Sequence, residues 1–515
     1  MSTPNRRQAL GAGLSLTALA GLSACGGGAV GAISAGDPVR GGTLRVGVTG
    51  GNAADTVDGH IPVNSGDVAR AVNLYNALYG WDDEAQVVPL LAESFTSNAD
   101  ATVWTCTLRE GLKFSDGSDI TGDDVKFSFE RITDPDDPKT AAANFTMLDE
   151  VVPTGDRTVE FRLSEPNGLF NDAVAEYTAA IVPRGYDPAN PVCSGPFKLE
   201  SFTPGLSSVL VANEYWYGYD DTYLERVELL NFNDTDALIN ALLSSQVDAI
   251  AQIPLALVEV INADERMSIL NSETGMWLPF TMRVDRPPFD DPKVRQAFRL
   301  AVDREQMIEQ VLSGYGTLGN DMFGPLSENY PDFPQRTQDI PKAKQLLAEA
   351  GFPDGLDVEL VTAPIQSGAV ESAQVFAQQA AAAGIRVDIR RVDSTTFFGD
   401  EYLQWDFAQD FWYTRDFMPQ VIASALEESP FNETHWNDPK FNEVFDRARV
   451  IPKAADRRDL EHELQKMLYD DGGYIIWGFA NQVDAYQKYV GGLRPNATGR
   501  PLGGWRFDRV WIGKV

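Results

Sequence analysis

The sequence predicts an α/β protein with a partly parallel sheet. From residue 341 onward, helical and strand patterns alternate: a helix over 341–350 stopped by Gly351, a strand over 356–361, a helix over 370–383 stopped by Gly384, and a strand over 385–392. Apolar spacing that switches repeatedly between a period of 3.6 and a period of two is the pattern of helices laid on a sheet. The chain has 515 residues, 43% of them hydrophobic, which is enough for two or three domains with their own cores.

The remaining elements follow from local signals. Residues 42–48 alternate as a strand, and 69–79 read as an amphipathic helix. A strand is expected over 103–108. A helix over 121–131 is entered through Thr121, with Asp123 and Asp124 in its first turn. Residues 157–163 alternate again. The proline-rich stretch 183–196 interrupts the pattern and marks a change of sub-domain. Strands follow over 197–199 and 208–211, then a helix over 234–244 with Leu238, Leu242 and Leu243 on one face, and a short strand over 247–251. Asp291-Pro292 supplies an N-cap with proline at the first helical position, opening a helix that buries Val294, Phe298 and Ala301, with Ile308 and Leu312 after a turn. A strand over 407–412 and a helix over 456–469, closed by Gly472-Gly473, complete the reading.

The N-terminus specifies location. Arg6 and Arg7 precede a Gly/Ala/Ser/Leu-rich run that ends in the lipobox Leu22-Ser23-Ala24-Cys25. Charge, a short apolar stretch, small residues and a cysteine form a secretory signal rather than a structural element. Residues 1–24 are therefore expected to be a Tat-type signal peptide, Cys25 the lipidated residue and 25–40 a Gly/Ala/Ser-rich tether. No later segment is apolar enough to span a bilayer, so the membrane is expected to be reached only through the lipid, on an extracytoplasmic face.

With 42 basic and 75 acidic side chains, the chain carries a net charge of −33. This argues against nucleic acid, which is gripped by Lys and Arg, and fits a monomer kept apart by self-repulsion. Cys106 and Cys193 fall in segments assigned to different sub-domains and are expected to be buried and unpaired. Only three histidines are present, His60, His435 and His462, too scattered for a structural zinc site. No G-x-S-x-G elbow or P-loop occurs. Residues 314–319 spell G-x-G-x-x-G, but they follow a helix rather than a strand and read as a helix C-cap and loop. No catalytic constellation or cofactor fingerprint emerges. The expectation is a binding protein, not an enzyme, with no metal or cofactor.

Five stretches resemble the family 5 extracellular solute-binding proteins, the dipeptide-, oligopeptide- and nickel-binding components of ABC importers. They are Leu90–Phe95 with Leu108–Gly117 and Thr121–Val125; Gly195-Pro196-Phe197-Lys198-Leu199, where Cys193-Ser194 replaces the usual Gly-Thr; Asn213-Glu214-Tyr215-Trp216 with Ala237–Asp248; Pro287–Leu312; and Lys342–Pro353. The resemblance spans nearly all the mature chain in the family's order. It implies a periplasmic-binding-protein-like fold of cluster C type. One α/β lobe comprises 41–60, 188–279 and 490–515, a smaller sub-domain over 61–187 is inserted in it, and a second lobe covers 280–489. It further implies a peptide or similar small solute held between lobes that close about hinges near 279 and 489, and permease subunits as partners. Oligosaccharide, opine-like and chelated-metal ligands remain alternatives.

In peptide-binding relatives a cleft-edge strand ends in Trp, and an Asp three residues later pairs with the peptide amine. Here that stretch reads Phe411-Trp412-Tyr413-Thr414-Arg415-Asp416. Arg415 takes the Asp position without a gap, and Asp416 takes it with a one-residue shift. An ammonium ligand requires the carboxylate; a carboxylate or phosphate ligand suits the guanidinium. Trp412 is expected to stack on ligand. Trp277, Trp477 and Phe479 near the expected hinges, Tyr79 and Trp81 at the end of the first helix of the small lobe, and Asn52 in the loop after the first strand join it as expected ligand contacts. His435 is a weaker candidate.

Overall fold

A computed structural model describes residues 34–513. Arg6, Arg7 and Cys25 lie outside them. The first sheet is built around the strand Thr43–Thr49, which pairs in parallel with Arg226–Phe232 on one side and Ala249–Ile250 on the other. Leu44 and Val46 on this strand are fully buried, as a central parallel strand demands. Ser207–Ala212 and Phe197–Thr203 extend the sheet antiparallel at one edge, and Gly478–Gln487 and Met267–Trp277 at the other.

An antiparallel four-stranded sheet lies within the inserted segment, in the order Ala92–Ser97, Val103–Leu108, Thr158–Leu163, Leu148–Pro153. The helix Gly122–Ile132 covers it. The Asp124 carboxylate accepts from the Thr121 backbone N–H at 2.9 Å and its hydroxyl at 2.7 Å, locking the helix start. Phe129 packs edge-on against both Phe145 and Phe161 in the core of this unit.

The second lobe holds a five-stranded sheet in the order Ile385–Arg391, Leu356–Thr362, Phe407–Gln409, Phe280–Met282, Tyr474–Ile475. The first pair is parallel, as the helix–strand alternation predicts. The helices Pro292–Leu300, Arg304–Leu312, Ile340–Glu349 and Ala369–Ala381 contribute to its apolar core.

Four expectations are corrected. The first helix is Ser65–Leu74, capped by Asn64, and stops because Tyr75 turns extended. Tyr79–Trp81 is instead a strand paired with Val87–Pro89, so Tyr79 and Trp81 do not end a helix. Gly478–Gln487 pairs with Met267–Trp277 in the first sheet, so residues 478–487 leave the second lobe and the crossing moves to about residue 477. Ser313 caps its helix in the left-handed conformation, but Gly316–Leu318 then forms a strand on Gly478–Gln487 rather than a loop. Glycine is required there: a Cβ on Gly319 would sit 2.3 Å from the Ile476 carbonyl oxygen. Leu243 is 37% exposed and lies off the buried face formed by Leu238 and Leu242. Cys106 and Cys193 are buried and unpaired, and burial pushes both thiols up to about 12.

Candidate functional site

The loop from Asp410 to Asp416 leaves the second lobe and is tied to the first sheet. Trp412 and Trp277 exchange both backbone hydrogen bonds, at 2.9 and 3.0 Å. The Thr414 hydroxyl accepts from the Gly275 N–H at 3.0 Å and donates to the Ala497 carbonyl at 3.1 Å. Asp416 then starts the helix Phe417–Ser424, and Ser327 bridges that start: its hydroxyl donates to Asp416 at 3.3 Å and accepts from the Phe417 N–H at 2.7 Å.

Trp412 is only 7% exposed. Its ring lies nearly parallel to Trp277 at 5.9 Å, meets Phe431 edge-on, and donates its Nε1–H to Glu433 at 3.1 Å. The expected free stacking face is therefore largely covered. The Arg415 guanidinium sits 5.2 Å over the same ring, a cation–π contact. Solvent reaches Arg415, and among the described residues it has no ion pair. Desolvation by the surrounding walls pushes its guanidinium down, with Glu176 as the opposing charge.

Asp416 faces elsewhere, into a cavity of about 240 Å³. Gln86, Asn171 and Asp172 of the inserted segment line one wall; Ser327, Asn329, Arg457 and Glu461 of the second lobe line the other. Burial raises the Asp416 carboxyl to about 6. Burial, and then the charge of Asp416, raise Asp172 to about 7. Arg457, ion-paired with Glu461, pulls both carboxyls down but does not outweigh their burial.

Asp172 reaches this position because its segment docks on the second lobe. Gly168 N–H donates to the Arg449 carbonyl at 2.7 Å, Arg449 pairs with Glu165 at 3.4 Å, and Leu169 is buried in the same cluster as Trp277, Trp412 and Phe417. A Cβ on Gly168 would lie 2.5 Å from the Ile451 carbonyl carbon, so only glycine permits the approach.

The raised pKa of Asp172 has a consequence for stability. Relative to an exposed aspartate at 3.8, the folded protein loses stability as pH rises from about 4 to about 7. Asp172→Asn is expected to raise the melting temperature of the ligand-free protein at pH 8, by the equivalent of roughly 1–3 kcal/mol, and to leave it unchanged at pH 4. Scanning calorimetry at the two pH values reads this out; identical melting at both would mean that the carboxylate is well solvated.

The other expected contacts separate from this group. Trp277, Trp477 and Phe479 are 2%, 1% and 1% exposed and are core residues at the crossings between lobes. Tyr79 packs on Phe95 inside the inserted unit. Trp81 is half-buried in its hairpin, two residues before Asp83, whose carbonyl accepts from Ala497. Asn52 is exposed, and its side chain accepts from the Ala54 N–H of its own loop. His435 bonds the Leu403 carbonyl at 2.9 Å, a structural role. Among the described residues no cluster of three or more His, Cys, Asp or Glu side chains is arranged for a metal. Asp172 and Glu176 were not expected, because nothing in their sequence context distinguishes them from the other acids of an acidic chain.

Two α/β lobes joined by paired crossings, with a charged cavity where the inserted unit meets the second lobe, define a solute-capturing binding protein. The chain belongs to the bacterial extracellular solute-binding proteins, family 5, whose middle-region model matches residues 86–428. It is 26% identical over 465 residues to the glutathione-binding protein GsiB of Salmonella typhi, covering 85% of this chain and 89% of that one. The fold matches AgaA from A. tumefacien R10, solved with agropinic acid, at a TM-score of 0.74 and 25% identity, over 92% of this chain and 99% of that one. It also matches HbpA2 from Haemophilus parasuis at a TM-score of 0.81 and 23% identity, over 92% and 100%.

Proposed function

We propose that this protein is the lipid-anchored capture receptor of an ABC importer, taking up a small solute that carries both an ammonium group and an acid: a short peptide or an opine-like conjugate. One observation carries the ligand class. Adjacent residues present opposite charges, Arg415 without an ion pair among the described residues and Asp416 with its carboxyl desolvated in the cavity beside Asp172. An ammonium group placed there neutralises the two acids, and a carboxylate on Arg415 gains charge-assisted hydrogen bonds. The related proteins bind glutathione and agropinic acid. Glutathione carries an ammonium group and two carboxylates.

Closure of the lobes on the solute supplies the signal for the permease, with bending at the crossings near residues 279 and 477. Mass spectrometry of the solute released on denaturing the purified protein tests the ligand class. A zwitterion of peptide or conjugate type is expected; a neutral oligosaccharide would overturn it.

The anchor belongs to the same reading. Cys25→Ser is expected to leave the precursor uncleaved or to free the protein from the membrane fraction, and Arg6 and Arg7 both changed to Lys to block export. Normal processing and retention of the Cys25 variant would refute the anchor.

A further inference from the structure

Behind Trp412 lies a second pair of acids that the ligand reading does not use. Asp410 is 3% and Glu433 5% exposed, and both line one small cavity beside Tyr402 and Trp405. Each is also held by neutral donors. Asp410 accepts from the Tyr402 hydroxyl at 3.0 Å and the Phe411 N–H at 2.8 Å; Glu433 accepts from the Trp412 Nε1–H at 3.1 Å and from the Tyr474 hydroxyl. Among the described residues neither acid has an ion pair. The nearby charged groups are committed elsewhere: Arg283 to Asp285 and the Leu403 carbonyl, His435 to that same carbonyl with Asp285 at 3.9 Å, and Arg415 over the Trp412 ring.

Two carboxylates in one cavity have only acceptors and repel, so a single O–H between them replaces repulsion by a hydrogen bond. We propose that Asp410 and Glu433 share a single proton and act as positioning residues, fixing Trp412 and with it the loop that presents Arg415, so that loss of the proton in alkali releases that loop. Geometry supplies the link: Asp410 and Trp412 bracket one residue of the loop, and Glu433, from a separate segment, holds Trp412 and lines the same cavity as Asp410. Burial of each acid, with the partner's charge added for Glu433, raises both carboxyls and so favours keeping a proton. The flanking phenols of Tyr402 and Tyr474 are themselves raised by burial, so they do not titrate before the pair. Once both acids are ionised, two buried like charges face each other without a cation. The simplest relief is to swing Asp410 and Trp412 away from Glu433.

The inference rests on the proposed function only for what the loop does when solute arrives; its test needs no solute. Indole N–H resonances of the full mature protein, with Trp412 assigned through Trp412→Phe, are followed from pH 6 to 10. The wild type is expected to show one step within this range, in which the Trp412 indole shifts, its N–H exchange accelerates by about tenfold beyond the ordinary base-catalysed rise, and the Arg415 Nε–H loses its ring-current shift. Glu433→Gln keeps an acceptor for Trp412 and a donor for Asp410 and is expected to abolish the step; Asp410→Asn is the second variant. A flat wild-type profile, a step that persists in both variants, or a step removed by His435→Gln would overturn the proposal. A failure of the ligand class in the released-solute measurement would leave this titration unaffected.

Discussion

Asp321→Asn is expected to destabilise the second lobe by about 3–5 kcal/mol at pH 7, the typical cost of leaving buried charges without their partner. Asp321 has no exposed side-chain surface and sits between Arg304, at 2.7 Å, and Arg336. Its other oxygen accepts from the Ile476 N–H at 2.9 Å. Asn tolerates the left-handed backbone at this position, so the substitution removes charge and little else. Burial alone would raise the Asp321 carboxyl, but Arg304, Arg336 and Arg299 outweigh it and hold the group below 3.8. A depressed folded value gives stability that is present above pH 4 and lost as pH falls through that value. Wild type and variant are therefore expected to differ in chemical denaturation at pH 7 and to converge only in acid. Equal denaturation midpoints at pH 7 would show that the arginines find other partners. Ile476 adjoins Trp477 at the crossing, so the same substitution is expected to loosen the proposed hinge.

Trp412→Ala is the second large effect. It deletes a buried indole from the cluster that joins the lobes, a loss of about 3–5 kcal/mol of stability. It also removes the ring beneath Arg415, so solute affinity is expected to fall by on the order of tenfold or more. Trp412→Phe separates the two in part: a smaller aromatic ring and most of the packing remain, while the Glu433 hydrogen bond is lost. A Phe variant that keeps stability and affinity would show that packing, not the Nε1–H, sets the loop. An Ala variant with unchanged affinity would mean that the ring does not support the site at all.

How far the sequence reached depended on how local each signal was. Asp291-Pro292, and Thr121 with Asp124, are complete within four residues, and both helix starts stand where they were expected. The end of the first helix was misplaced because Ala77 and Leu78 continue an apolar pattern that Tyr75 has already broken by turning extended. Gly478–Gln487 was assigned to the wrong lobe because strand partnership is decided by a segment two hundred residues away. The resemblance singled out the loop bearing Trp412, Arg415 and Asp416 as the proposed site, but burial could not be read from it. Trp277, Trp477 and Phe479 lie near the crossings, and proximity in sequence could not show that their rings turn into the core. Asp172 was illegible for a stronger reason: it reaches Asp416 only through the docking of Gly168 and Leu169 on the second lobe.

On the proposed function, the solute is held by its two charges at Arg415 and Asp416. Isothermal calorimetry with the solute recovered from the purified protein, on wild type, Arg415→Gln and Asp416→Asn, decides this. Each substitution is expected to weaken binding by roughly 1.5–3 kcal/mol. Acetylating the solute's amine should reproduce the Asp416→Asn loss without adding to it. Affinities equal to wild type in both variants would contradict binding at this loop.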